Sequence, residues 1–93
     1  MNKIAEWLTL DDLCRAAAVS PQWVRRCVDE GLLPVAGHPT EEWRFDLLVL
    51  RRVRLMRRLE RDFDAVPELA ALVADLHEQI DLMRARLRRA GLE

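Results

Sequence analysis

The sequence predicts a mainly α protein, a winged helix-turn-helix head with a small β-hairpin wing and a C-terminal coiled-coil dimerisation helix. Three observations predict it. Ser20-Pro21 restarts a helix directly after another one, since serine accepts a bond from a free N–H at a helix start and proline needs no partner in the first turn. The run from Gly31-Leu32-Leu33-Pro34 to Trp43-Arg44-Phe45-Asp46 reads as two short strands around breakers at Gly37, Pro39 and Thr40. From Val66 the apolar residues Val66, Leu69, Val73, Leu76, Ile80, Met83 and Leu87 alternate spacings of three and four, the pattern of a coiled-coil seam. Residues 1–63 are therefore expected to form the head and 64–93 the dimerisation helix of one structural domain.

Each element has its own signal. Trp7-Leu8-Thr9-Leu10 predicts a short extended lead-in, with Thr9 as N-cap of a first helix that carries Leu13, Cys14 and Ala17 on one face and ends at Val19. The second helix turns Val24, Cys27 and Val28 to the core and stops at Gly31, which takes a left-handed cap without steric cost. Residues 32–35 read as the outgoing strand and Trp43-Arg44-Phe45 as the returning one, its two aromatics on the same side. Asp46 is placed to cap a third helix from Leu47 to about Arg61. At about 100° per residue it separates Leu48, Val49, Val53, Leu55, Met56 and Leu59 from a stripe of Arg51, Arg54, Arg57, Arg58 and Arg61. Asp62-Phe63-Asp64 interrupts it, Asp64 caps again, and Pro67 falls in the first turn of the last helix, where it is tolerated. Leu72 and Leu82 lie off the seam and are expected to pack back on the head.

Ninety-three residues make one domain, and a chain this short buries a small share of its surface, so a dimer is expected. With 51% hydrophobic and 33% charged residues, the composition is that of a folded, helix-rich chain and not of a disordered one. No apolar run approaches the roughly 20 residues of a membrane helix and the N-terminus lacks a signal-peptide pattern, which predicts a cytoplasmic protein. Cys14 and Cys27 stand thirteen apart, His38 and His77 lie far from both, and no metal or cofactor is expected; the thiols read as core. No Ser-His-Asp order, Gly-rich phosphate loop or paired-carboxylate pocket can be assembled, so no enzyme is expected.

The charge on the head has the wrong sign for DNA. A duplex carries one phosphate about every 1.7 Å of axis and calls for a basic reading face. Residues 1–46 instead hold five Lys/Arg against eight Asp/Glu, a balance of −3. The acidic pairs Asp29-Glu30 and Glu41-Glu42, with Asp12 of the first helix, are the candidate partner-binding residues, since opposite potentials steer encounter and specify a partner.

Helix-turn-helix, wing and terminal helix together resemble MerR-type regulators, in which an antiparallel helix pair holds two heads. Arg25 and Arg44 match arginines of that pattern, but Arg26-Cys27 stands where tyrosines would be, and the chain has no Tyr. The alternative this leaves is a MerR-like DNA-binding transcriptional regulator without an effector domain, using Arg25, Arg26 and Arg44. A closer resemblance runs through Thr9-Leu10-Asp11-Asp12-Leu13-Cys14, the Val19-Ser20 turn, Gly31-Leu32-Leu33, Trp43-x-Phe45-Asp46, Val53-Arg54-Leu55 and Asp62-Phe63. In that order these resemble the CbpM chaperone-modulator family over nearly the whole chain. The resemblance implies a protein that binds the J-domain of a CbpA/DnaJ-like co-chaperone and inhibits its engagement of DnaK, through a J-domain helix that is basic in that family.

Overall fold

The computed structural model describes residues 7–37 and 42–92. Four helices follow one another: α1 (Leu10–Ala17), α2 (Pro21–Asp29), α3 (Leu47–Phe63) and α4 (Pro67–Arg89). Thr9 caps α1 in a reciprocal box, its hydroxyl accepting from the Asp12 N–H at 3.1 Å while its own N–H donates to the Asp12 carboxylate at 3.2 Å. Ala18 closes the helix in the left-handed region at φ 58°. Ser20 and Pro21 then start α2 as expected, with the Trp23 N–H on the serine hydroxyl at 3.1 Å.

The end of α2 differs from expectation. The Gly31 N–H donates to the Val28 carbonyl and the Leu32 N–H to the Cys27 carbonyl, a Schellman closure with Gly31 at φ 75°. Leu32 thus spends its donor on the helix cap, Pro34 has none, and residues 32–35 form a bend at 32–33 followed by irregular chain where a strand was expected. Among the described residues, pairing is confined to two isolated antiparallel bridges, Ala36 with Arg44 and Leu8 with Phe45, so the returning segment is held on both sides. Gly37, at φ 96°, passes so close to the Glu42 carbonyl that any Cβ would collide with it.

Trp43 and Phe45 both turn inward, their ring centroids 6.0 Å apart and edge to face. Around them Leu13, Val24, Cys27, Leu33, Val49, Val53 and Met56 complete a core to which all four helices contribute. Asp46 caps α3 through the Val49 N–H at 3.0 Å. That helix runs to Phe63, two residues beyond the expected end, and Asp64 closes it in the left-handed region at φ 57°. Asp64 is therefore a C-cap; Val66 occupies the N-cap of α4 without a side-chain bond, and Pro67 holds the first helical position.

α4 folds back along α3 on alanines. Ala70, Ala71 and Ala74 are buried, and side chains this small let two helices approach closely. Arg52 pins the contact. Its side chain is only 9% exposed, and its guanidinium donates from Nε to the Leu32 carbonyl at 2.9 Å and from Nη2 to the Ala71 carbonyl at 3.4 Å, and reaches Asp75 at 2.8 Å and Glu78 at 3.1 Å through Nη1. Replacing Arg52 by Met keeps the stem but strands these acceptors. Chemical denaturation of R52M is expected to show a loss of about 2–4 kcal/mol, the cost of removing charged hydrogen bonds from a part-buried site.

Candidate partner-binding surfaces

The expected acidic residues fall into different local settings. Asp12 serves the α1 capping box and accepts from Arg15 at 2.8 Å, and the backbone bond from Thr9 holds its carboxyl below the usual carboxylate range. Glu30 accepts from Arg26 Nε at 3.1 Å, a bond that raises the Arg26 pKa. Asp29 and Glu42 are exposed. Glu41 lies outside the described residues, as does His38. Among the described residues, no hydrogen bond or ion pair joins the Asp29-Glu30 end of α2 to Glu42.

Arg25 is exposed on α2, Arg26 is engaged with Glu30, and Arg44 donates back to the Trp43 carbonyl at 2.8 Å. The arginine stripe of α3 is only partly a free face. Arg51 pairs with Asp81 at 3.5 Å, Arg54 donates to the Ala16 carbonyl at 3.2 Å, and Arg57 bonds Glu60 at 2.8 Å while lying 5.7 Å from the centre of the Trp23 ring. Arg52, absent from the expected stripe, proved to be the structural one. Its signal was its spacing: three residues after Val49 and four before Met56, it stands on the edge of the core-facing side.

The seam residues Val66, Leu69, Leu76, Ile80, Met83 and Leu87 are 43–61% exposed in the single chain, and Val73 is half-buried. At about 100° per residue they lie on the side of α4 opposite the alanine stripe. Leu72 is exposed with them and does not pack on the head; Leu82 borders an open cleft of about 1140 Å³ between the 31–34 turn, α3 and α4. The charges around that cleft answer one another, Arg51 to Asp81 and Arg52 to Asp75 and Glu78. Among the described residues, no group of three or more His, Cys, Asp or Glu could hold a metal, and no helix is long and apolar enough to cross a membrane.

A helix-turn-helix made by α1 and α2, with a paired returning segment and a long terminal helix, defines a MerR-type scaffold. The family described as MerR HTH family regulatory protein matches residues 8–90. Chaperone modulatory protein CbpM of Pseudomonas entomophila (strain L48) is 33% identical over 84% of this chain and 77% of its own length. The CbpM of Pseudomonas putida (strain GB-1) is 32% identical over 88% of each chain, and that of Coxiella burnetii (strain Dugway 5J108-111) 26% identical over 87% of this chain and 76% of its own. The chain thus belongs, within the MerR class, to the CbpM family of chaperone modulators. No solved structure matches it.

The two thiols differ. Cys27 is buried, and burial, with Glu60 and Glu30 nearby, pushes its pKa up to about 11; Cys14 is half-buried and burial raises it too. Because the folded value of Cys27 lies above the ordinary 9.0, the stability it contributes is present below pH 9.0 and lost as pH rises toward about 11. Labelling with an aromatic disulfide reagent at pH 8 is expected to modify Cys14 first, Cys27 reacting only as denaturant unfolds the chain.

Proposed function

We propose that this chaperone modulator is a cytoplasmic homodimer that binds the J-domain of a CbpA/DnaJ-like co-chaperone and inhibits its engagement of DnaK. The observation that carries the reading is the exposed acidic end of α2, Asp29 and Glu30, on a scaffold whose DNA-reading relatives need that helix to be basic. Glu42 adds to the negative potential of the head, as do Asp12 and Glu41 in its net charge. The regulator alternative retains an exposed Arg25, but Arg26 and Glu30 pair with each other and add no net charge, Asp29 offsets Arg25, and the −3 balance of residues 1–46 opposes phosphate binding. It stands second for that reason.

Dimerisation is assigned to the seam because it is apolar, exposed and turned away from the head. Its charge pattern favours an antiparallel pair. Asp75, Glu78 and Asp81 are held by Arg52 and Arg51, and the remaining charge runs from Glu68 at the start of α4 to Arg84, Arg86 and Arg89 toward its end, so parallel copies stack arginines on one another while antiparallel copies keep them apart. Converting Leu76 and Ile80 to Lys is expected to yield a folded monomer in sedimentation experiments at low micromolar concentration. A variant that stays dimeric removes the seam from the interface.

Charge-steered docking associates quickly and weakens with salt, while apolar contacts set dissociation. Reversing Asp29 and Glu30 to Lys is expected to slow association with the co-chaperone about tenfold at low salt and to flatten its salt dependence. Helicity should be unchanged, because the Arg26–Glu30 pair is exposed and contributes little. Surface plasmon resonance across a salt series reads the rate; an unaltered rate removes the α2 end from the contact.

A further inference from the structure

The tip of the α3–α4 hairpin carries an aromatic that the fold leaves outside. Phe63, the last residue of α3, is 74% exposed, the highest value among the large hydrophobic residues described. It does not sit on a loose end. The Asp64 and Ala65 N–H groups both close back on the Leu59 carbonyl, so the backbone beneath the ring is tied. Val66, 59% exposed, continues the apolar surface toward α4.

Carboxylates flank this ring along the chain. Asp62 and Asp64 flank it in sequence, and Glu68 follows in the first turn of α4. Arg52 relates the acidic end of α2 to α4: one guanidinium bonds both the Leu32 and Ala71 carbonyls, so the exit of α2 and the early turns of α4 are side by side. Glu30 lies two residues before Leu32 and Glu68 one helical turn before Ala71, and Arg26 of α2 feels the charge of Glu68 through space. From residue 60 to residue 68 the tip holds Glu60, Asp62, Asp64 and Glu68 against Arg61 alone, which pairs with Asp62. The tip therefore has a net charge of −3, while the neighbouring outer face of α3 is rich in arginine.

We propose that Phe63 and its acidic rim are a docking surface for a basic helical face of the partner protein, the ring entering an apolar gap between the stems of basic side chains. The proposal rests on the partner-binding reading above and gives the acidic end of α2 an anchor. An aromatic within a charged rim is the composition of an interface hot spot, where one ring carries affinity and the rim carries encounter rate. The negative rim repels nucleic acid and selects a basic protein surface.

The test is calorimetric titration of the full-length DnaJ-like co-chaperone of the same organism with the unaltered chain, Phe63→Ala, Phe63→Trp and Asp62→Lys/Glu68→Lys. Phe63→Ala is expected to weaken binding about tenfold or more, Phe63→Trp to retain it, and the charge reversal to weaken it more at low salt than at high salt. Circular dichroism and sedimentation should match the unaltered chain for Phe63→Ala, because the ring is exposed and off the seam. Binding by Phe63→Ala within about twofold of the unaltered chain overturns the docking surface and leaves the modulator reading standing. Loss of the dimer in Phe63→Ala also overturns it, by assigning the ring to the contact between copies. If the unaltered chain does not bind the co-chaperone, both readings fall.

Discussion

A guanidinium with little access to water must find acceptors for its donors, and the four that Arg52 finds decide where the last helix lies. Two are main-chain carbonyls, at the exit of α2 and on α4, and two are carboxylates one helical turn apart on α4. Planar, forked donors suit this task in a way an ammonium would not. The same contact that fixes α4 against α3 thereby fixes the direction of its opposite face and brings the end of α2 beside the hairpin tip. The surfaces proposed for the second copy and for the partner both take their position from it.

The division of α4 into two faces has a simple steric origin. Alanine on one side allows a close approach to α3, and the larger seam residues are left on the other. Along its length the helix is divided again, acidic toward its start and basic toward its end. That order is the one the helix dipole favours within a single chain, so it supports the isolated helix as well as an antiparallel pair.

Much of this was legible because caps and breakers act locally. Ser20-Pro21, Gly31 and Asp46 do what their chemistry dictates, and the inward pair Trp43 and Phe45 followed from the period of two. Residues 32–35 were misread because an apolar run after a glycine fits a strand, whereas the Leu32 N–H was already committed to closing α2. Asp64 was misread as a start because its left-handed conformation, which places it at an end, has no marker as plain as glycine. Among the candidate site residues, Asp12 belongs to a capping box whose Thr-x-x-Asp spacing was visible. The role of Arg52 was not, since long-range acceptors at Leu32 and Ala71 leave no trace in local periodicity. The leucines of α4 mark the seam, while its packing on the head is carried by alanines, whose small apolar area gives a weak periodic signal.

From residue 75 to residue 92 every side chain is exposed except half-buried Ala85, although the helix continues to Arg89. A helical segment of that length, without a buried face, is marginal in water on its own. Its amide protons in an isolated chain would exchange with solvent near the rate of fraying ends, and slow exchange there would have to be supplied by another molecule. In the proposed dimer the second half of α4 would act as a built-in gauge of assembly, its amide protection tracking protein concentration while that of the core does not.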